Sequence, residues 1–290
     1  MLKKRIIGCL IVRDGIVVQS INFRSYLPVG RPKIAVEYLN RWSIDEIAVL
    51  DITAGRNGDG PNVRLVKEVS DRCFVPLTAG GGIRSLRHVE MLIQGGADKI
   101  SVNTAALETP ELITEVANAF GSQSVIVSID AVSDGRGGHR VWSFRERRAL
   151  DATPVEHARR AEGRGAGEIL LNSVDRDGSK AGYDIGLVGE LASKVGIPVI
   201  ALGGAGHPRH FAEVFQKTAA AAAAAANYFH FTEHSVITTK SFLERDGLGV
   251  RLDGEVNYQD SGFARTGRIR KKDDLVLDEL RFVPVEPDEL

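Results

Sequence analysis

The sequence predicts an α/β fold, a closed (β/α)₈ barrel (a TIM barrel) built from two similar half-barrels with a C-terminal extension. Three observations carry that reading. The chain repeats itself: Asp45-Glu46-Ile47 matches Gly167-Glu168-Ile169, and VPLTAGGGIRS from Val75 matches IPVIALGGAGH from Ile197, both at one offset (169 − 47 = 197 − 75 = 122). Such self-similarity means two copies of one structural unit. Short apolar runs alternate with segments of helical spacing, the pattern of βα units. The run SVIVSID (124–130) is rich in β-branched residues and uncharged until its last residue, the composition of a parallel strand buried on both faces. A doubly wound open sheet alternates in the same way, but the half-repeat favours closure.

Taken in order, strands are expected at RIIGCLI (5–11), EIAVLD (46–51), FVPLT (74–78) and KISV (99–102) in the first half. The second half supplies SVIVSID (124–130), EILLNS (168–173), IPVIAL (197–202) and part of the alanine run near 219–224. The last is the least regular, because alanine is a poor strand former. Either the small side chains let backbone reach a ligand, or selection on this strand is relaxed. Between the runs, PKIAVEYLNRW (32–42) and PRHFAEVFQK (208–217) open on proline and place apolar residues at helical spacing. Residues 1–252 account for eight βα units. Residues 253–290 lie outside the repeat and carry a basic run, RTGRIRKK (265–272), to be read as a solvated tail or as a partner-docking arm.

Composition narrows the function. Of 290 residues, 43% are hydrophobic and 26% charged, and the formal net charge is -1. That leaves no basic excess for a nucleic-acid backbone. Two cysteines, Cys9 and Cys73, make neither a disulfide framework nor a metal quartet, which fits a reducing cytoplasm. The N-terminal apolar run is closed by Arg13-Asp14, too short for a signal or a membrane span. No metal or cofactor is expected.

Chemistry is expected where strands end, since the carboxyl ends of barrel strands form the mouth. Asp130 ends the fifth strand and is the catalytic candidate, with a helix cap as the alternative role. Two glycine-rich turns, Ala79-Gly80-Gly81-Gly82 and Gly203-Gly204-Ala205-Gly206, take equivalent places in the halves, with Asn103-Thr104 and Ala226-Asn227 ending the adjacent strands. Glycine lets backbone N–H groups approach an anion. The pair suggests an elongated ligand with a phosphate at each end; two tight strand-to-helix turns are the alternative. At the opposite end Arg5, Glu46, Lys99 and Glu168 begin strands and form a neutral set that could close the barrel floor.

The motifs RIIGCL, LDITA, AGGGIR, DKISVNT, RGAGEILL, DRDG and GGAG together resemble the cyclase subunit of imidazole glycerol phosphate synthase, over roughly residues 1–252. The resemblance implies a lyase-type synthase barrel with a glutaminase subunit docked on its floor. Ammonia then passes a gate matched by Arg5, Glu46, Lys99 and Glu168, with Asp98 facing the glutaminase. It implies phosphate binding by Gly82, Asn103, Thr104, Asp177, Gly178, Gly204, Ala226 and Asn227. The family uses two aspartates at the mouth; the fifth-strand acid matches Asp130, but the first-strand position is Ile11. Gln19, Asn172 and Leu202 also depart from the family's lysine and small hydroxyl residues. A retained ammonia path beside an altered cyclase centre resembles the paralogues that accompany sugar amidation in surface-polysaccharide pathways, which implies a sugar amidotransferase as a further partner. The alternatives are a genuine histidine-pathway cyclase using Asp130 with a substitute acid such as Asp51 or Asp177, and a non-catalytic scaffold.

Overall fold

In the computed structural model the residues described are 3–54, 60–230, 234–252, 258, 261–273 and 275–276. Most of the extension expected at 253–290 lies outside that set. The strands, in chain order, are β1 (Arg5–Arg13), β2 (Ile16–Ile21), β3 (Ser25–Gly30), β4 (Glu46–Asp51), β5 (Leu77–Gly80), β6 (Lys99–Val102), β7 (Val125–Ser133), β8 (His139–Ser143), β9 (Arg148–Ala149), β10 (Glu168–Ser173), β11 (Val199–Leu202) and β12 (Ala222–Ala225). Eight of them are parallel and follow the order β1-β4-β5-β6-β7-β10-β11-β12, with β12 returning to β1. The expected (β/α)₈ barrel is therefore present and closed.

The helices are α1 (Pro32–Arg41), α2 (Val63–Ser70), α3 (Leu86–Gln94), the short α4 (Thr104–Glu108), α5 (Glu111–Phe120), α6 (Pro154–Gly163), α7 (Ile185–Ala192), α8 (Pro208–Lys217) and α9 (Ser235–Arg245). Their starts follow local chemistry. Pro32, Pro154 and Pro208 occupy first positions, where a missing N–H costs nothing. Thr153 and Glu156 form a reciprocal capping box.

The four strands outside the barrel form two antiparallel hairpins, β1-β2-β3 and β7-β8-β9. Each grows from the first strand of a half-barrel. In the first, Asp14 (φ 51°) and Gly15 (φ 79°) make the left-handed two-residue turn that suits strand twist. The third strand begins at Leu77 rather than Phe74, and the seventh at Val199 rather than Ile197; Pro76 and Pro198 precede these ladders, and each contributes only its carbonyl, to Ile47 and Ile169.

The core has two layers. Residues facing the helices make the larger one, and the lumen holds Ile7, Cys9, Ala48, Ile126, Leu170, Ile200, Leu202, Ala222 and Ala224, with Ile11, Leu50 and Ala226 packed at its edge. The alanine strand fits its surroundings. Ala223 and Ala225 share the outer layer with Phe211, whose ring lies 5.5 Å from Tyr183, 5.3 Å from Tyr228 and 6.3 Å from Phe229, and Tyr183 donates to the Ala224 carbonyl at 3.0 Å. Aromatic bulk beside the strand fills the volume that larger strand residues would take.

Candidate functional site

At the floor, the four charged residues that begin strands do meet. Arg5 bonds Glu46 at 2.6 Å and Glu168 at 2.7 Å, while Lys99 bonds Glu168 at 2.6 Å and Glu46 at 3.2 Å. Successive side chains on a strand alternate faces, so these residues share the lumen face with Ile7, Ala48, Ser101 and Leu170, two positions on. Burial works against the Arg5 charge, yet its bonds to Glu168 and Glu46 raise its pKa overall. Burial likewise opposes ionised Glu168, and Arg5 with Lys99 overcomes it and holds the carboxyl low. The ring is thus charged and self-neutralising. Asp98 is exposed beside it, at the start of β6, and its carboxylate accepts from the Leu77 N–H at 2.8 Å.

A second floor pair was not legible from the strand starts. Lys240 of α9, 1% exposed, donates to Asp45 at 2.7 Å and to the Ser43 carbonyl, while the other Asp45 oxygen accepts from the Ile6 N–H at 2.7 Å. The sequence does hold a signal: Val236, Lys240 and Leu243 recur at helical spacing, which puts a lysine on the core face of α9.

At the mouth, Asp130 is buried, and its two oxygens are bonded from either side. Asn103, following β6, donates to Oδ2 at 2.8 Å, and Asn172 of β10 donates to Oδ1 at 3.0 Å. Burial pushes the Asp130 carboxyl up to about 6, with the two amides opposing it and Asp177 adding to it. Leu202 belongs to the apolar cluster of the lumen, and Ile11 and Leu50 pack against it. The substitute acids are otherwise engaged. Asp51 accepts from Thr53, Ala54 and Asn62, and Asp177 accepts from the Ser20 hydroxyl at 2.7 Å and the Phe23 N–H at 3.1 Å.

The expected phosphate-binding residues fall into separate groups. Asn103 serves Asp130, and Thr104 opens α4 directly after it. Asp177, Gly178 and Asn227 all pack on the first hairpin: Asn227 exchanges two bonds with the Ser20 backbone, and a Cβ on Gly178 would lie 2.7 Å from the Ser20 carbonyl. Ala226 stands at the lumen edge.

Gly82 and Gly204 lie in two matching clasps. Their φ angles are +71° and +96°, and an added Cβ would lie 2.5 Å from the Gly60 carbonyl oxygen and 2.1 Å from that of Gly182. His88 Nδ1 accepts from the Arg84 N–H at 3.3 Å, and His210 Nδ1 from the Gly206 N–H at 3.2 Å. Every member keeps the repeat offset (182 − 60 = 204 − 82 = 210 − 88 = 206 − 84 = 122). Sequence reasoning matched the glycines and missed the histidines, whose offset was available to it.

Among the described residues no helix is long and apolar enough to cross a membrane. The family model described as "Histidine biosynthesis protein" matches residues 5–235. The chain is 44% identical over 268 residues to a Vibrio vulnificus protein provisionally named imidazole glycerol phosphate synthase subunit hisF2, covering 92% of this chain and 98% of that one. It is 44% identical over 253 residues to the imidazole glycerol phosphate synthase subunit HisF of Clostridium botulinum, covering 87% of this chain and all of that protein. The Caulobacter vibrioides subunit of the same name is 45% identical over 254 residues, 87% of this chain and 98% of that one. The Vibrio match is longer by 15 positions than the Clostridium one (268 − 253), so it runs into the extension beyond 252.

Proposed function

From membership of the histidine biosynthesis protein family, to which this chain belongs, we propose that the protein is the synthase barrel of an imidazole glycerol phosphate synthase-type glutamine amidotransferase. In this reading a glutaminase docks on the floor near Asp98 and releases ammonia at the ring of Arg5, Glu46, Lys99 and Glu168. Ammonia crosses the apolar lumen and meets a phosphorylated acceptor at Asp130. The observation that carries the proposal is the ring itself, four charges at the foot of a lumen lined mainly by apolar side chains, with Asp130 buried at its other end. A buried ion-pair ring gains little over apolar packing, which favours a role beyond stability. Neutral ammonia can enter such a lumen, whereas ammonium must first give up its proton.

The three relatives described above carry names from imidazole glycerol phosphate synthesis, so the histidine-pathway cyclase has the better support from likeness. One observation favours transfer of ammonia to another acceptor such as a sugar: Ile11 can neither give nor take a proton, and Asp51 and Asp177 each already accept bonds from neighbouring loop residues. Loss of one member of an acid/base pair costs about 10²–10⁴ in rate. The test is turnover of the histidine-pathway ribonucleotide with ammonium salts, for this chain and for the Clostridium relative. Turnover within tenfold of that relative supports the cyclase. Turnover lower by a hundredfold or more, partly recovered by Ile11→Asp, supports the other acceptor. Failure of any glutaminase to couple to the barrel would refute both.

A further inference from the structure

Four of the large apolar side chains exposed on the molecule fall within one short stretch: Leu27 (52%), Val29 (41%), Ile34 (52%) and Tyr38 (53%). Leu27 and Val29 are two apart on β3 and share a face, and Ile34 and Tyr38 are one turn apart on α1, which follows at once. Among the described residues β3 pairs only with β2, so its other edge is open. An open apolar edge is a template for a further strand, and native proteins keep such edges covered or blunted. The flanks of this one are basic. Arg24 precedes β3, Arg31 and Lys33 follow it, and among the described residues none of the three has a carboxylate partner. The acids on the same hairpin and helix are already taken, Asp14 by Arg13 at 3.6 Å and Glu37 by Arg41 at 2.9 Å.

The extension is brought to the same rim. Phe263 bridges to Ile269, its ring meets Phe242 of α9 edge-on at 5.6 Å, and between the two His207 Nε2 donates to the Arg265 carbonyl at 3.1 Å, at the start of α8. Gly206, just before, lies against Lys180, and Asp177 of that same loop accepts from Ser20 and Phe23 of the first hairpin. One loop therefore separates the extension from the hairpin that ends in β3. Residues 277–290, LDELRFVPVEPDEL, lie outside the described residues. They hold five acids against one arginine, a net charge of −4 (1 − 5), around Leu280, Phe282, Val283 and Val285. Fourteen extended residues reach about 45 Å, ample to cross one loop.

We propose that the open edge of β3 is the docking site of residues 277–290 of the same chain, which add to it as an extended acidic and apolar strand. The acids meet Arg24, Arg31 and Lys33, and the apolar residues cover Leu27 and Val29; backbone pairing supplies affinity and alternate side chains supply the match. Pro284 and Pro287 suit an edge strand and not a helix interior. A second copy is the poorer occupant, because antiparallel pairing of β3 with itself about its centre sets Arg24 against Arg31 at both ends, and like charges placed opposite each other repel. The inference is independent of the reaction at the mouth.

The test is hydrogen exchange of the full chain, read by mass spectrometry over residues 24–31, in wild type and three variants: Arg24→Glu/Arg31→Glu, Glu286→Lys/Asp288→Lys/Glu289→Lys, and the two sets together. Arg24 and Arg31 are exposed, and the melting temperature of each variant checks that the barrel is kept. Either reversal alone should speed exchange of this segment about tenfold, by freeing the edge. The combination, with the charges exchanged, should bring it back to within about threefold of wild type, as expected for two sites in contact. Protection in wild type should also fall as salt screens the pairing. Should the Arg24→Glu/Arg31→Glu variant melt early, the reversal at 286–289 and a Phe282→Ser/Val283→Ser variant read the same quantity. Equal exchange in wild type and the folded reversals overturns the inference, as does a loss of protection that the combination leaves unrepaired. Protection that rises with protein concentration also overturns it, and assigns the edge to a second copy.

Discussion

Replacing Asp130 by asparagine isolates the electrostatic cost of the mouth. The native carboxyl titrates near 6 instead of its ordinary 3.8, chiefly through burial, against the opposing bonds from Asn172 and Asn103. At 1.36 kcal/mol per pH unit, ionised Asp130 costs the native state about 3 kcal/mol. The sign follows from linkage: the native state holds this proton more tightly than the unfolded chain, so the contribution is fully present below 3.8 and is lost as pH rises through 6. The variant has no such term. Its own cost, a new amide facing two amide donors, does not change with pH. Urea unfolding at pH 4.5 and 7.5 should therefore show wild type losing about 2 kcal/mol relative to Asp130→Asn across that interval, most of the full term. A difference that stays constant within 0.5 kcal/mol, about the error of such measurements, would refute the account of a desolvated carboxylate.

Three further perturbations follow from the floor and the turns. Arg5→Ala leaves two glutamates sharing Lys99 and should cost about 2–3 kcal/mol, the ring being partly open to solvent; as a gate, it should also lower product formed per glutamine hydrolysed while activity with ammonium salts persists. Lys240→Met strands the Asp45 carboxylate in the core and should cost about 3–5 kcal/mol by urea unfolding, partly recovered by adding Asp45→Asn. Gly204→Ala meets both a left-handed φ and the Gly182 carbonyl, so it should cost about 2–4 kcal/mol and abolish anion binding at that turn, read by calorimetry.

The barrel strands were legible because burial on both faces leaves a composition that solvent-facing segments lack. Glu168–Ser173 was placed residue for residue, as was the helix at 208–217. The hairpins were not, although Asp14-Gly15 between RIIGCLIVR and IVVQSI is a strong two-residue turn signal; the expectation of a helix after every strand overrode it. That omission hid how Asp177 and Asn227 are used, since their partner Ser20 lies on β2. The ring was legible because its members all begin strands. The pairing of Lys240 with Asp45 was not: helical spacing puts the lysine on a core face, but its partner stands just before a strand 195 positions away, and only the tertiary fold joins them.

That separation bears on how the chain assembles. The two half-barrels meet at two seams of very different kinds. The β6–β7 seam joins neighbours in the sequence, whereas the β12–β1 seam closes over more than two-thirds of the chain, with Lys4 reaching the Ala220 carbonyl across 216 positions and Asn227 reaching Ser20 across 207. Contacts of such long range pay their chain entropy before they return any energy, and they set folding speed more than final stability. The Lys240–Asp45 pair acts at this late seam, so Lys240→Met should raise the unfolding rate and leave the folding rate nearly unchanged. Moving the chain ends to Gly121 and joining the old ones would make the slow seam local and the fast one distant. Because both halves follow the same plan, the permuted chain should reach the same barrel with the order of closure reversed.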